Sequence, residues 1–169
     1  QLSRRPAGVD VGLGATGGSS DIRTQGGDTT LAGLNAFTDV LVTATGAFNA
    51  TGTVAAGRNI AVTATSANLE TLPSPGGAFV STLEAGANLS VITSGDILGG
   101  RVRAGGDLIL TGDSIDITRA QTTGSGQLTL TGTNGEDNFE APSGGSSFYG
   151  LGGTDTFTGG AGVDVVDGG

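Results

Sequence analysis

Apolar and polar residues alternate in five short segments of this chain: Asp39-Val40-Leu41-Val42-Thr43, Asn59-Ile60-Ala61-Val62-Thr63, Asn88-Leu89-Ser90-Val91, Asp107-Leu108-Ile109-Leu110-Thr111 and Gln127-Leu128-Thr129-Leu130-Thr131. Alternation with a period of two marks a β-strand that buries one face. The first apolar residues, at 40, 60, 89, 108 and 128, are separated by 20, 29, 19 and 20 positions. A second column, Leu34, Val54, Leu83, Val102 and Thr122, lies six residues before these anchors. A third, looser column holds Phe48, Leu69, Ile97 and the pair Ile115/Ile117. Three short strands per coil of about twenty residues follow from this spacing. One coil cannot bury its own apolar face, whereas stacked coils share a continuous core. The pattern therefore predicts an all-β chain: a parallel β-helix, or β-solenoid, over residues 25–131, with strands of successive coils about 4.8 Å apart. Residues 1–24 read as a leading segment or partial first coils.

The 29-residue step is one coil plus about nine extra residues. The excess falls at 71–80, where Pro73, Pro75, Gly76 and Gly77 mark a loop that leaves the stack. It is expected to be a tolerated insertion.

From Gly132 the period changes to nine. Four nonapeptides follow in register, at 132–140, 141–149, 150–158 and 159–167, on the template G-G-x-G-x-D-x-U-x with U a large apolar residue. The fourth matches fully, and the first and third miss only the second glycine. The second keeps Gly144 and Phe148 but has Ser146 where Asp belongs. Position eight (Phe139, Phe148, Phe157, Val166) is expected to face inward. The glycines allow positive φ and let a turn aim its carbonyls at one point. The Asp adds a hard anionic oxygen of the kind calcium prefers. Nine residues make half a coil, so turns on one edge lie eighteen residues apart. That pairs Asp137 with Asp155, and Ser146 with Asp164. The candidate metal ligands are the carboxylates of Asp137, Asp155 and Asp164, with turn carbonyls near Gly135, Gly153 and Gly162. Asp164 should bind more weakly, because Ser146 is a neutral partner.

Composition narrows the chemistry. Cys and His are absent, which removes disulfides and the usual zinc ligands. Carboxylate and carbonyl oxygens remain, and they suit calcium. The net charge of −9 makes nucleic acid an improbable partner, and no apolar run approaches the length of a membrane span. Asp10, Asp21, Asp28, Asp113 and Asp116 form no recognisable catalytic constellation, and the chain has no His, Cys or Lys to serve as a base. A non-enzymatic protein is expected. Arg101 and Arg103 read as solvated residues beside Thr82 and Glu84 of the preceding coil. The column Thr43, Thr63, Thr111 and Thr131 reads as strand formers on a solvated face. No signal peptide opens the chain, Gln1 reads as an internal start, and Gly169 falls within a repeat. The expectation is a piece of something longer.

The segments AAGRNIAVTA, EAGANLSV and RAGGDLILTGDSIDIT resemble the β-helical shafts of filamentous-haemagglutinin-like adhesins. The nonapeptides of 132–169 resemble the RTX, or haemolysin-type, calcium-binding repeat, which forms a parallel β-roll. These resemblances imply a secreted, extracellular protein of the bacterial cell surface that takes Ca2+. The RTX likeness implies type I secretion, the adhesin likeness two-partner secretion. The implied function is a calcium-dependent structural or adhesive module, whose partners would be calcium, other copies of itself or cell-surface polysaccharide. Two alternatives are a calcium-folded accessory domain of a secreted enzyme, and an S-layer or filament subunit.

Overall fold

The structure is a computed structural model describing residues 2–5, 9–10, 18, 20–24, 27–70, 82–117, 119–123, 126–132, 134, 136, 138–140, 145–159 and 162–169. It is an all-β parallel solenoid of about six turns with about 19 residues per turn. The first sheet stacks nine strands in the order β1 (Leu2–Arg5), β3 (Ser20–Thr24), β6 (Val40–Thr43), β9 (Ile60–Ala64), β12 (Leu89–Thr93), β15 (Leu108–Thr111), β18 (Leu128–Thr131), β20 (Ser146–Tyr149) and β22 (Val165–Asp167). The second stacks β2 (Val9–Asp10), β4 (Thr29–Leu31), β7 (Ala47–Ala50), β10 (Ser66–Leu69), β13 (Ile97–Gly99) and β16 (Ile115–Asp116). The third stacks β5 (Leu34–Ala36), β8 (Val54–Ala56), β11 (Leu83–Ala85), β14 (Arg101–Ala104) and β17 (Arg119–Thr122). A separate pair joins β19 (Asn138–Glu140) to β21 (Thr156–Thr158). Strands from residues 2–24 belong to the first two sheets, so the stack extends below residue 25.

The main inward column is the one the alternation predicts. Val40, Ile60, Leu89, Leu108 and Leu128 are in register from coil to coil, and all are buried. Val42, Val62, Val91, Leu110 and Leu130 form a second buried column two residues on.

Two column assignments are corrected. Leu34, Val54, Leu83 and Val102 do stack, but the next member is Ala120, not Thr122, which pairs with Ala104. The corner before β18 spans 123–127, whereas the corner before β15 spans 105–107. Counting back six residues from Leu128 therefore stops two residues short of Ala120. The third column is Thr29, Phe48, Ala67, Ile97 and Ile115, and Leu69 lies in the neighbouring column with Leu31, Ala50 and Gly99. The two columns compensate in volume: Phe48 accompanies Ala50, Ala67 accompanies Leu69, and Ile97 accompanies Gly99. Close packing requires such pairing, because each coil offers the same space.

Two features recurring in the sequence have their cause in the stacking. The polar residue opening each segment forms a ladder. Asp39 Oδ1 accepts the Asn59 amide at 3.2 Å and Asn59 Nδ2 at 2.8 Å. Asn59 Oδ1 accepts the Asn88 amide at 3.2 Å, Asn88 Oδ1 that of Asp107 at 2.9 Å, and Asp107 Oδ1 that of Gln127 at 3.1 Å. The Ala-Gly corners are the second feature. A Cβ at Gly57, Gly86 or Gly105 would collide with the carbonyl oxygen of Phe37, Gly57 or Gly86 in the coil below.

The insertion at 71–80 lies outside the described residues, but its neck is visible. The Thr82 hydroxyl, fully buried rather than solvated beside the arginines, donates to the Glu70 carbonyl at 2.6 Å. In the next coil Gly99 and Gly100 have φ of 72° and 68°, and a Cβ on Gly100 would strike Leu69. Glu84 and Arg103 are cross-strand neighbours, 3.5 Å apart and half-buried. Among the described residues no helix is long and apolar enough to cross a membrane.

Candidate metal centre

The nine-residue period produces an eighteen-residue coil with strands on two sides. Leu130 pairs with Phe148, and Phe148 with Val166, in the first sheet. On the other side Phe139 pairs with Phe157. Three of the four position-eight side chains can be described. Phe148 is buried, and Phe157 packs against the core. Val166, though in register with Phe148, is 52% exposed, since β22 is the edge strand of its sheet. The Phe139 side chain lies outside the described residues.

The turn 150–155 is described in full. Gly153 has φ of 112°, and Leu151, at the second template position, has φ of 74°. Gly169, at that second position of the following repeat, has φ of 88°. Left-handed backbone is the reason the template asks for glycine here, and Leu151 adopts it against its Cβ. The Gly150 amide donates to the Asp167 carbonyl of the next coil at 2.8 Å.

The first template position is glycine for another reason. A Cβ on Gly150 would strike Oδ2 of Asp155, and one on Gly159 would lie 2.6 Å from Oδ2 of Asp164. Each Asp thus folds its carboxylate back over the first residue of its own repeat. The space a side chain would fill is given to a carboxylate oxygen, on one edge at Asp155 and on the other at Asp164. Spacing alone places the Asp at position six but does not disclose this cradle, for which the position-one glycines are the sequence signal.

Ser146 and Asp164 are brought together: Oδ1 of Asp164 accepts the Ser146 hydroxyl at 2.7 Å and the Ser146 amide at 3.1 Å. Asp137, the expected partner of Asp155, and Gly135 lie outside the described residues. Gly153 and Gly162 are both exposed turn residues. No group of three or more Asp, Glu, His or Cys gathers among the described residues, so a cation here would draw largely on backbone carbonyls. Of the other acids, Asp28 accepts the Ala47 amide at 2.8 Å and helps join successive coils.

Fold and turns together define a parallel β-solenoid whose last coils are built from nonapeptide turns. Compared with family models, with curated proteins and with solved structures, the chain matches none.

Proposed function

We propose that this chain is a calcium-dependent structural or adhesive module of a secreted bacterial surface protein, with Ca2+ held by its nonapeptide turns. The observation that carries the reading is the turn 150–155, where the Asp155 carboxylate is folded over Gly150 and the intervening Leu151 and Gly153 have positive φ. A carboxylate together with turn carbonyls would form a hard oxygen donor set, which suits calcium and leaves softer metals without their preferred ligands. Asp155, with Asp137 eighteen residues earlier and the carbonyls near Gly135 and Gly153, would hold the ion. The ion would supply positive charge that offsets the repulsion between stacked carboxylates.

Folding is then coupled to the medium. A site that exists only in the closed coil converts binding free energy into folding free energy. Extracellular calcium modules work at about 10⁻⁴–10⁻³ M, so the roll would close outside the cell and stay open in a calcium-poor cytoplasm. The 20-residue coils need no ion, since their apolar columns are already buried. A shaft with a metal-closed end suits a role in adhesion or surface architecture, toward cell-surface polysaccharide or further copies of the chain. The test is far-UV circular dichroism and thermal unfolding of the full chain in EDTA and in millimolar CaCl2. Strand signal should rise with calcium, and a second, lower transition should appear on chelation. Superimposable curves in the two media would defeat the reading.

A further inference from the structure

The outer face of the first sheet carries no charge over six coils, and its pattern fits a second copy of itself. From this we infer that two chains associate through that face with their solenoid axes antiparallel. The inference takes up the proposed role toward further copies of the chain and is independent of the calcium site.

Two outward columns run up this sheet in register. One is Leu41, Ala61, Ser90, Ile109, Thr129 and Ser147, and the other is Thr43, Thr63, Ile92, Thr111, Thr131 and Tyr149. None of these residues is charged, in a chain with 7 basic and 16 acidic residues. Leu41, Ile92, Ile109 and Tyr149 are all exposed. The outer face of the third sheet, by contrast, carries Glu84 and Arg103. Interface cores are poor in charge and rich in apolar side chains and tyrosine.

Charge selects the occupant and its orientation. The net charge is −9, so two copies repel unless the surfaces that meet are free of acid. The charge is also unevenly spread along the axis. Residues 132–169 hold Glu136, Asp137, Glu140, Asp155, Asp164 and Asp167 and no base, a net of −6. Residues 1–24 hold Arg4, Arg5 and Arg23 against Asp10 and Asp21, a net of +1. Parallel axes would set the two acidic ends side by side. Antiparallel axes set each acidic end beside the first coils of the other copy.

A two-fold axis between β12 and β15 generates the antiparallel pair. It sets Leu41 opposite Ser147, Ile109 opposite Ser90, Ile92 opposite Thr111 and Tyr149 opposite Thr43 of the second copy. Each large side chain thus meets a small one. One coil further out, the register position of Arg23 falls opposite that of Asp167. Sheets facing in this way pack about 10 Å apart, and a two-fold contact of one patch with itself closes without further growth. Six strands at about 4.8 Å and four residues at about 3.3 Å give a footprint of about 400 Å² per copy. That is about half the area of a standard stable interface. The pair therefore forms at high local concentration, as when many copies stand on one surface.

The experiment is sedimentation equilibrium of the full chain up to about 1 mM, in EDTA and in millimolar CaCl2. The average mass should rise with concentration toward that of a dimer in both media, because most of the face belongs to coils before Gly132. Ile109→Glu should weaken association at least tenfold. Leu98→Glu, at an equally exposed residue of the second sheet, should leave it unchanged. The chain has no cysteine, so introduced thiols report the orientation. A thiol crosslinker about 10 Å long, matching the sheet spacing, should join Thr63→Cys to Thr131→Cys in a mixture of the two variants. Either variant alone should give far less product. A monomer at every concentration, or equal weakening by Ile109→Glu and Leu98→Glu, would overturn the inference and leave the calcium reading standing. Association confined to CaCl2 would move the contact to the roll and overturn this face. Thr63→Cys joined to itself in preference to Thr131→Cys would overturn the antiparallel pairing. Association in both media without calcium uptake would sink the calcium reading alone.

Discussion

The rings of Phe148 and Phe157 stack across the interior of the roll, with centroids 5.4 Å apart and planes 6° from parallel. Phe148 comes from the first sheet and Phe157 from the two-stranded sheet, so this contact joins the two sides of one eighteen-residue coil. Phe148 also continues the buried column of Leu110 and Leu130. Replacing Phe148 with Ala should therefore cost about 3–5 kcal/mol of roll stability. Phe157→Ala should cost less, because Phe157 is only partly buried. Denaturant midpoints of the two variants would check the order, and an equal or reversed effect would mean that the stack is not anchored on the solenoid core.

The column register makes a sharper prediction two coils earlier. Leu108 is fully buried, and its neighbour Ile109 is 39% exposed on the opposite face of β15. Leu108→Asp buries an unpaired charge and should cost several kcal/mol, on the order of 4 or more. Ile109→Asp should change stability by about 0.5 kcal/mol or less. Thermal unfolding of both reads the outcome, and comparable losses would mean that the inward and outward faces are wrongly assigned.

Leu151 gives a prediction of opposite sign. Its left-handed φ costs an L-residue with a Cβ about 1–2 kcal/mol. Glycine removes that cost but adds about 0.4–1 kcal/mol of unfolded-chain entropy. Leu151→Gly should therefore stabilise the roll by about 0.5–1 kcal/mol, measured as a higher midpoint of its transition. Leu151→Val should lower that midpoint, since β-branched residues tolerate this conformation worst.

Much of this architecture was legible because the buried columns are strictly periodic. The residues at 40, 60, 89, 108 and 128 needed only alternation and a count. Counting failed where a corner changed length, as between Thr122 and Leu128. It failed again where two columns share volume, as with Ala67 and Leu69, because a small residue at an inward site carries no hydrophobic signal. The polar openings at Asp39, Asn59, Asn88 and Asp107 were visible as a repeat, but their bonding depends on the residue stacked above, which a linear pattern does not contain. In the turns, spacing paired Ser146 with Asp164. That the serine donates twice to the aspartate follows only from its burial at the end of the Leu128 column.

Calcium calorimetry on the full chain and on Asp155→Ala and Asp164→Ala bears most directly on the central claim. Wild type should take up calcium at millimolar concentration. Asp155→Ala should weaken uptake at least tenfold, because it removes an anionic ligand from the metal edge. Asp164→Ala should leave uptake nearly unchanged, because that carboxylate is engaged by Ser146. No uptake by the wild type, or equal losses in the two variants, would contradict the account.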